Sequence, residues 1–341
     1  MRGDIGTDDP RVRVRRGRKG KKTRRRSKDR VDYSAAPIAM VTAVDRGRYT
    51  VRLDEHDLRC VKARELPRGS VIVGDRVRCV GDLSGRPDTL GRIVAVEPRR
   101  TELTRSSEDT PQAARERPMV ANVDLMLIVS ALAAPEPRPR MIDRCLVAAY
   151  AAGITPVLVA TKADLAPAEP LLRHFAGLDL ECLSTRLGED GCEGIDALAE
   201  RIRGHTSVLV GHSGVGKSTL TNALIPDADR ATGAVNAVTG RGRHTSTGAV
   251  ALRMDESTWL VDTPGIRSFG LAHIDTEALL AGFPDLAQAA ESCPRRCSHL
   301  SDAPDCRLDA WAATARDRAR LDSFRRLALT KSLALAPWEI R

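Results

Sequence analysis
Between about residue 37 and residue 97 apolar and polar positions alternate in short runs, IAMVTAVD, RYTVRLD, DRVRCVG and GRIVAVE. Turn residues such as Arg46-Gly47 and Ser84-Gly85-Arg86-Pro87 separate them. This spacing predicts about five strands, enough to close a small barrel of the OB type, a fold whose outer face commonly meets single-stranded or irregular nucleic acid. From about residue 120 the pattern changes to wholly apolar runs alternating with helical periodicity: VDLMLIVS, a helix over 139–152, TPVLVA, a further helix, LECLS, a helix over 194–203, and TSVLVG. Continuous apolar strands between helices predict a doubly wound α/β domain.

The last of these strands runs into GHSGVGKS (Gly211 to Ser218), a G-x-x-x-x-G-K-S loop followed by the helical stretch TLTNALIP. Glycines let backbone N–H groups converge on a phosphate, Lys217 neutralises phosphate oxygens, and the Ser218 hydroxyl is placed to ligate magnesium. We assign Gly211, His212, Ser213, Gly214, Val215, Gly216, Lys217, Ser218 and Thr219 to nucleotide binding. At the end of TPVLVA stands TKADL, close to the guanine-reading N-K-x-D box. The Asp164 carboxylate can accept from N1–H and the 2-amino group of guanine, donors that adenine lacks, which points to GTP. Lys162 can lay its stem over the base, and Ser184-Thr185 at the end of LECLS resembles the following S-A box. Thr161 replaces the usual Asn, and the expectation is loss of an amide that would touch the base and brace the phosphate loop. VDTPG (Val261 to Gly265) supplies D-x-x-G, with Asp262 reaching magnesium through water and the Gly265 N–H sensing the γ-phosphate. GRGRHTST (Gly240 to Thr247) lies between, with the composition of a switch. TKAD at 161 precedes the phosphate loop at 211, the reverse of the usual order, so the chain is circularly permuted.

Composition adds a tail and a metal cluster. Residues 1–30 hold fourteen Lys or Arg against four Asp, and the other 311 residues carry 40 basic against 41 acidic side chains. The first 36 residues are therefore expected to be a disordered polycation suited to a phosphate backbone. With 42% hydrophobic and 29% charged residues overall, wholesale disorder is excluded. The apolar run from Leu125 to Ala134 falls short of the roughly 18 residues that span a bilayer, and no apolar segment follows a basic start, so the cytoplasm is expected. Of eight cysteines, Cys60, Cys79, Cys145, Cys182 and Cys192 read as small buried hydrophobes. Cys293, Cys297 and Cys306 join His299 in C-x3-C-x-H-x6-C, a closed set of soft ligands for one structural zinc.

VGDRV (Val73 to Val77), NVD (Asn122 to Asp124), GHSGVGKS, GRGRHTST, DTPGIRSF and the Cys/His cluster together resemble the circularly permuted, ribosome-associated GTPases of small-subunit maturation, the RsgA, YjeQ or EngC family. The resemblance implies an OB domain that binds RNA (37–105), a permuted GTPase domain (106–272) and a helical zinc domain (273–341), whereas the basic tail (1–36) is not part of the common family core. It implies GTP hydrolysis stimulated by the small ribosomal subunit, binding to that subunit and its rRNA in the GTP state, release as GDP forms, Mg2+ with the nucleotide, and a monomer off the membrane. Residue 266 is Ile where Ras-type enzymes place Gln. The resemblance offers His244 as the group that positions water, beside Lys217 as a catalytic residue, and adds Thr245 to the nucleotide site. The cluster departs from the family's C-x4-C-x-H-x5-C by one compensated residue. Two rivals are a non-enzymatic RNA-binding scaffold and an ATP-dependent P-loop enzyme.

Overall fold
Alternating burial along β1 (Ile38–Asp45), β2 (Arg48–Leu53), β3 (His56–Lys62), β4 (Arg76–Gly81) and β5 (Gly91–Val96) curls these strands around one apolar interior. The pairing runs β1-β2-β3-β5-β4 and returns to β1, a closed five-stranded barrel in which only β3 and β5 are parallel. Ala39, Val41, Val51, Leu58, Val77 and Ile93 fill it. Tyr49, the one aromatic between residues 37 and 97, is buried in this core and leaves the barrel surface without a stacking platform. Gly91 is required because a Cβ there would stand 2.7 Å from the Cys60 sulfur across the β3–β5 pair. The structure, a computed structural model, describes residues 32–86, 88–105, 117–188, 191–225, 249–263, 271 and 274–333. The basic residues up to 31 lie outside them.

The second architecture is a sheet of β8 (Leu125–Ala131), β9 (Thr155–Thr161), β10 (Glu181–Ser184), β13 (Thr206–Val210), β14 (Val250–Arg253) and β15 (Trp259–Asp262). Two antiparallel ribbons flank it, β6 (Glu102–Arg105) with β7 (Arg117–Ala121) and β11 (Arg186–Gly188) with β12 (Gly191–Glu193). Its order is β10-β9-β8-β13-β15-β14, all parallel except β14. Every residue of β8 is buried because both faces are covered. Met126 and Ile128 pack toward α1 (Pro139–Ala151), whose Ile142, Cys145, Leu146 and Ala149 form one buried stripe. Leu125, Leu127 and Val129 pack the opposite way, into a core shared with α3 (Ile195–Ile202) and α4 (Lys217–Leu224). α2 (Glu169–His174) closes the α1 side.

Four further helices, α5 (Thr276–Leu280), α6 (Pro284–Ala290), α7 (Arg307–Trp311) and α8 (Ala315–Leu333), share the α1 core through Leu279, Leu286, Leu308 and Phe324. Arginines stitch α8 down: Arg320 bridges Asp179 at 2.9 Å and Asp285 at 2.5 Å over the Phe283 ring, and Arg326 reaches the buried Asp143 at 3.2 Å. Burial raises the pKa of Asp143, and the charges of Arg326 and His174 oppose that rise. Cys60, Cys79 and Cys145 are buried thiols, as expected, and burial pushes Cys145 up to about 12. Cys182 and Cys192 are only half-buried, because the short β10 and the β11–β12 ribbon lie at the sheet's margin.

Barrel and sheet are welded at VGDRV and NVD. The fully buried Asp75 carboxylate accepts from the Ile72 N–H at 2.8 Å and from Arg99 at 2.7 and 2.9 Å. Asn122 donates through Nδ2 to the Gly74 carbonyl at 2.9 Å and accepts from the Arg100 N–H at 2.9 Å. Two residues on, Asp124 accepts from the Thr206 N–H that opens β13. Gly74 has φ +86°, and a Cβ on it would lie 2.0 Å from the Ala121 carbonyl oxygen. Gly74→Ala is therefore expected to destabilise the protein by about 2 kcal/mol or more, read as a lowered urea midpoint by circular dichroism.

Candidate functional site
β13 ends at Val210 and the chain turns through Gly211, Gly214 and Gly216, all at positive φ (+151°, +82° and +98°), into α4. At Gly211 a Cβ would sit 2.4 Å from the Val129 carbonyl oxygen of β8, so only glycine lets the loop pass over the neighbouring strand. Lys217, the first residue of α4, folds its ammonium back and donates to the carbonyls of Gly211 at 2.6 Å and His212 at 2.8 Å. Burial lowers its pKa, and the charge of Asp262 opposes that. Asp262, at the end of β15, is raised by burial and drawn down by Lys217. Both are half-buried and each feels the other's charge near the carboxyl ends of the adjacent strands β13 and β15, where Leu209 registers with Asp262 and the Thr263 hydroxyl donates to the Leu209 carbonyl at 2.6 Å. Ser218 and Thr219 are exposed on the first turn of α4, and Ser213 and Gly214 on the loop.

The expected effect of Thr161 is corrected by the structure. Its hydroxyl, buried at the end of β9, donates to the Val215 carbonyl at 2.6 Å and braces the phosphate loop that the missing amide was expected to leave unsupported. A hydroxyl one bond from Cβ reaches this carbonyl because the Gly216 Cα side of the loop packs directly on Thr161, with a Cβ there at 3.6 Å. After Thr161 the backbone turns at Lys162 with φ +57°, and the Lys162 ammonium donates to the Ala134 carbonyl. Asp164 is exposed on this turn. The Ala163 N–H donates to Thr185 and the Thr185 N–H to Ala160, so Ser184-Thr185 at the end of β10 abuts the TKAD turn. Thr161, Lys162, Asp164, Ser184, Thr185, Gly211 to Thr219 and Asp262 all lie at the carboxyl edge of one parallel sheet, where α/β folds form ligand crevices. His244, Thr245 and Gly265 lie outside the described residues.

The second centre lies among the C-terminal helices. Ligand atoms of Cys293, Cys297, His299 and Cys306 are all within 4.8 Å of one another. Cys293 follows α6, Cys306 immediately precedes α7, and the Arg307 N–H donates to the Cys293 sulfur at 3.3 Å. His299 is buried at φ +57°, its carbonyl accepts from Arg325 Nε at 3.1 Å, and Arg325 is clamped by Asp309 at 2.8 and 2.9 Å. Burial lowers the imidazole pKa, favouring the neutral form that ligates metal. Three sulfurs and one imidazole nitrogen this close match the donor set of a tetrahedral metal site.

The sequence matches the family described as RsgA GTPase over residues 96–272. The protein named small ribosomal subunit biogenesis GTPase RsgA of Pseudomonas syringae pv. tomato is 38% identical over 275 residues, covering 78% of this chain and 76% of its own length. Its namesake in Chromohalobacter salexigens is 36% identical over 316 residues, 88% of each. Among solved structures, YjeQ from Thermotoga maritima superposes with a TM-score of 0.60 at 27% identity, covering 85% of this chain and 98% of that one. The structure described as YloQ, a circularly permuted GTPase, shares the fold at a TM-score of 0.58, 22% identity, and 86% and 96% coverage.

Thr161→Ala leaves the Val215 carbonyl buried without its donor and is expected to cost about 1–3 kcal/mol of stability, whereas Thr161→Ser keeps the hydroxyl and most of the stability. Urea melts of the two variants beside the parent check this.

Proposed function
The chain belongs to the RsgA GTPase family, and from that premise we propose that it is a GTP hydrolase of small ribosomal subunit biogenesis. The observation that carries the reading is the convergence of three separated sequence elements, TKAD, GHSGVGKS and Asp262, on one sheet edge despite their permuted order. In this reading the loop N–H groups and Lys217 hold the β- and γ-phosphates. The Lys217 ammonium exchanges the Gly211 and His212 carbonyls for phosphate oxygens, gaining charged partners in a half-buried setting. Ser218 and Asp262 would hold the magnesium ion, which supplies charge neutralisation at the phosphates. Asp164, exposed on its turn, accepts from the guanine edge, Lys162 covers the base, and Ser184-Thr185 supports the turn from β10. His244 positions the attacking water and Thr245 and Gly265 contact the γ-phosphate side. Cys293, Cys297, His299 and Cys306 would hold one structural zinc, which ties the segment between α6 and α7 to the core.

The partner in this reading is the small ribosomal subunit and its rRNA, met in the GTP state by the barrel, the zinc segment and the basic tail, and left on hydrolysis. With Tyr49 buried, the barrel offers phosphates its exposed Arg46, Arg48, Arg59 and Arg92 rather than an aromatic surface for bases. Among the described residues no helix is long and apolar enough to cross a membrane. A monomer working in the cytoplasm accords with a subunit-bound task.

The decisive experiment compares turnover of GTP and ATP with and without small subunits. Hydrolysis of GTP in preference to ATP, raised by subunits, supports the reading, and equal use of both nucleotides would overturn it. Lys217→Ala is expected to lower kcat/KM for GTP at least about a hundredfold with the urea midpoint nearly unchanged. Metal analysis of the purified protein should give about one zinc per chain, lost in Cys297→Ser together with protease resistance of residues 284–311.

A further inference from the structure
β1 pairs with two partners along the same edge. Ile38, Ala39 and Met40 register with Arg78, Val77 and Arg76 of β4 and close the barrel. The pairing with β2 then slips between Val41 and Ala43, and beyond that bulge Ala43 registers with Val250 of β14. A bulge bends its strand, and here it coincides with the passage of β1 from the barrel to the α/β sheet. Val250 has Asp262 as its neighbour on the other side. Ala43, Val250 and Asp262 are thus consecutive rungs across three strands, running from the barrel to the carboxylate beside Lys217. β14 is also the strand into which the GRGRHTST segment leads.

At the far end of β14 the contact is repeated by side chains. Arg253 donates to both carboxylate oxygens of Glu55, at 2.8 and 3.1 Å, and Glu55 lies in the turn between β2 and β3. The pair spans 198 positions of sequence. Arg52 adds a second donor to the same carboxylate at 3.1 Å, and Arg253 Nε holds the Asp255 carbonyl at 2.9 Å. Both ends of β14 are therefore fixed to the barrel. Neither Glu55 nor Arg253 belongs to the phosphate loop, the guanine turn or the metal cluster.

We propose that Arg253, through Glu55 and the Ala43–Val250 rung, is a positioning residue that couples the barrel to the nucleotide site by setting β14 against β15. The inference rests on the assignment of Asp262 to the nucleotide's magnesium made above. Coupling between two sites is reciprocal: if a polyanion on the barrel biases β14, then the nucleotide's γ-phosphate must alter the barrel. The warrant is one continuous ladder that runs from the barrel, past the bulge of β1, to Asp262.

Hydrogen exchange of the full-length protein, read by mass spectrometry with GDP and with a non-hydrolysable GTP analogue, tests this. Amides of Ala43–Arg48 and of the Glu55 turn should exchange at rates that differ at least about fivefold between the two forms. Arg253→Ala and Glu55→Gln should each abolish that difference, the double variant should lose nothing more, and protection of Gly211–Ser218 should persist in all three. Subunit-stimulated turnover of Arg253→Ala should fall by a similar factor while turnover without subunits stays unchanged. Loop protection in both nucleotide forms with identical exchange in Ala43–Arg48 would overturn the coupling, as would a difference that survives in Arg253→Ala. No protection of the loop by either nucleotide would overturn the nucleotide site itself, and this inference with it.

Discussion
A loop that binds phosphate through its own amides must be held open by something other than its own side chains, since glycines give it its shape. In this protein the support comes from two strands on one side of β13, its neighbour β8 and, beyond it, β9. The Val129 carbonyl of β8 lies where a Gly211 side chain would be, and the Thr161 hydroxyl of β9 pins the Val215 carbonyl. With Gly211 and Val215 held in this way, the loop backbone needs less ordering when a ligand binds. The same hydroxyl joins the two halves of the site: the residue that opens the TKAD turn is also the one that braces the glycine-rich loop.

That arrangement explains how a permuted chain retains a working geometry. What the site requires is that the carboxyl ends of β10, β9, β13 and β15 lie along one sheet edge, with β8 between β9 and β13, and parallel pairing supplies this whatever the order of connection. The permutation changes what adjoins each motif. The segment after Asp262 leads toward the helices that carry the Cys/His cluster, and the strand before it is shared with the barrel through β1.

Local chemistry was legible in the sequence, and distant chemistry was not. The phosphate loop, the apolar β8 and β9 and the Cys/His cluster are written in contiguous residues, and the structure puts each in its expected setting. β3, with the run HDLRCVK, escaped notice because it buries only Leu58 and Cys60 among exposed polar neighbours. The short β14, with two half-buried and two buried residues, gave no periodic signal. The bracing by Thr161 could not be read because its partner is 54 residues away, and the family's Asn suggested only what was lost. Glu55 and Arg253 look like ordinary surface charges until the fold brings them together. The C-terminal helices read as a separate module, yet Phe283 and Phe324 lie in the same core as Ile142 and Ile128.

The shared strand β1 also bears on solubility. β14 is the last strand of the α/β sheet on its side, and an unpaired strand there would present free N–H and C=O groups to any other extended chain. The end of β1 and the Glu55 turn cover that border and place a carboxylate and two arginines beside it. The barrel is thus a cap on the sheet's border. A fragment that begins after Val96 would retain every motif for nucleotide and metal but carry an open β-edge, and its characteristic failure would be self-association rather than loss of the site.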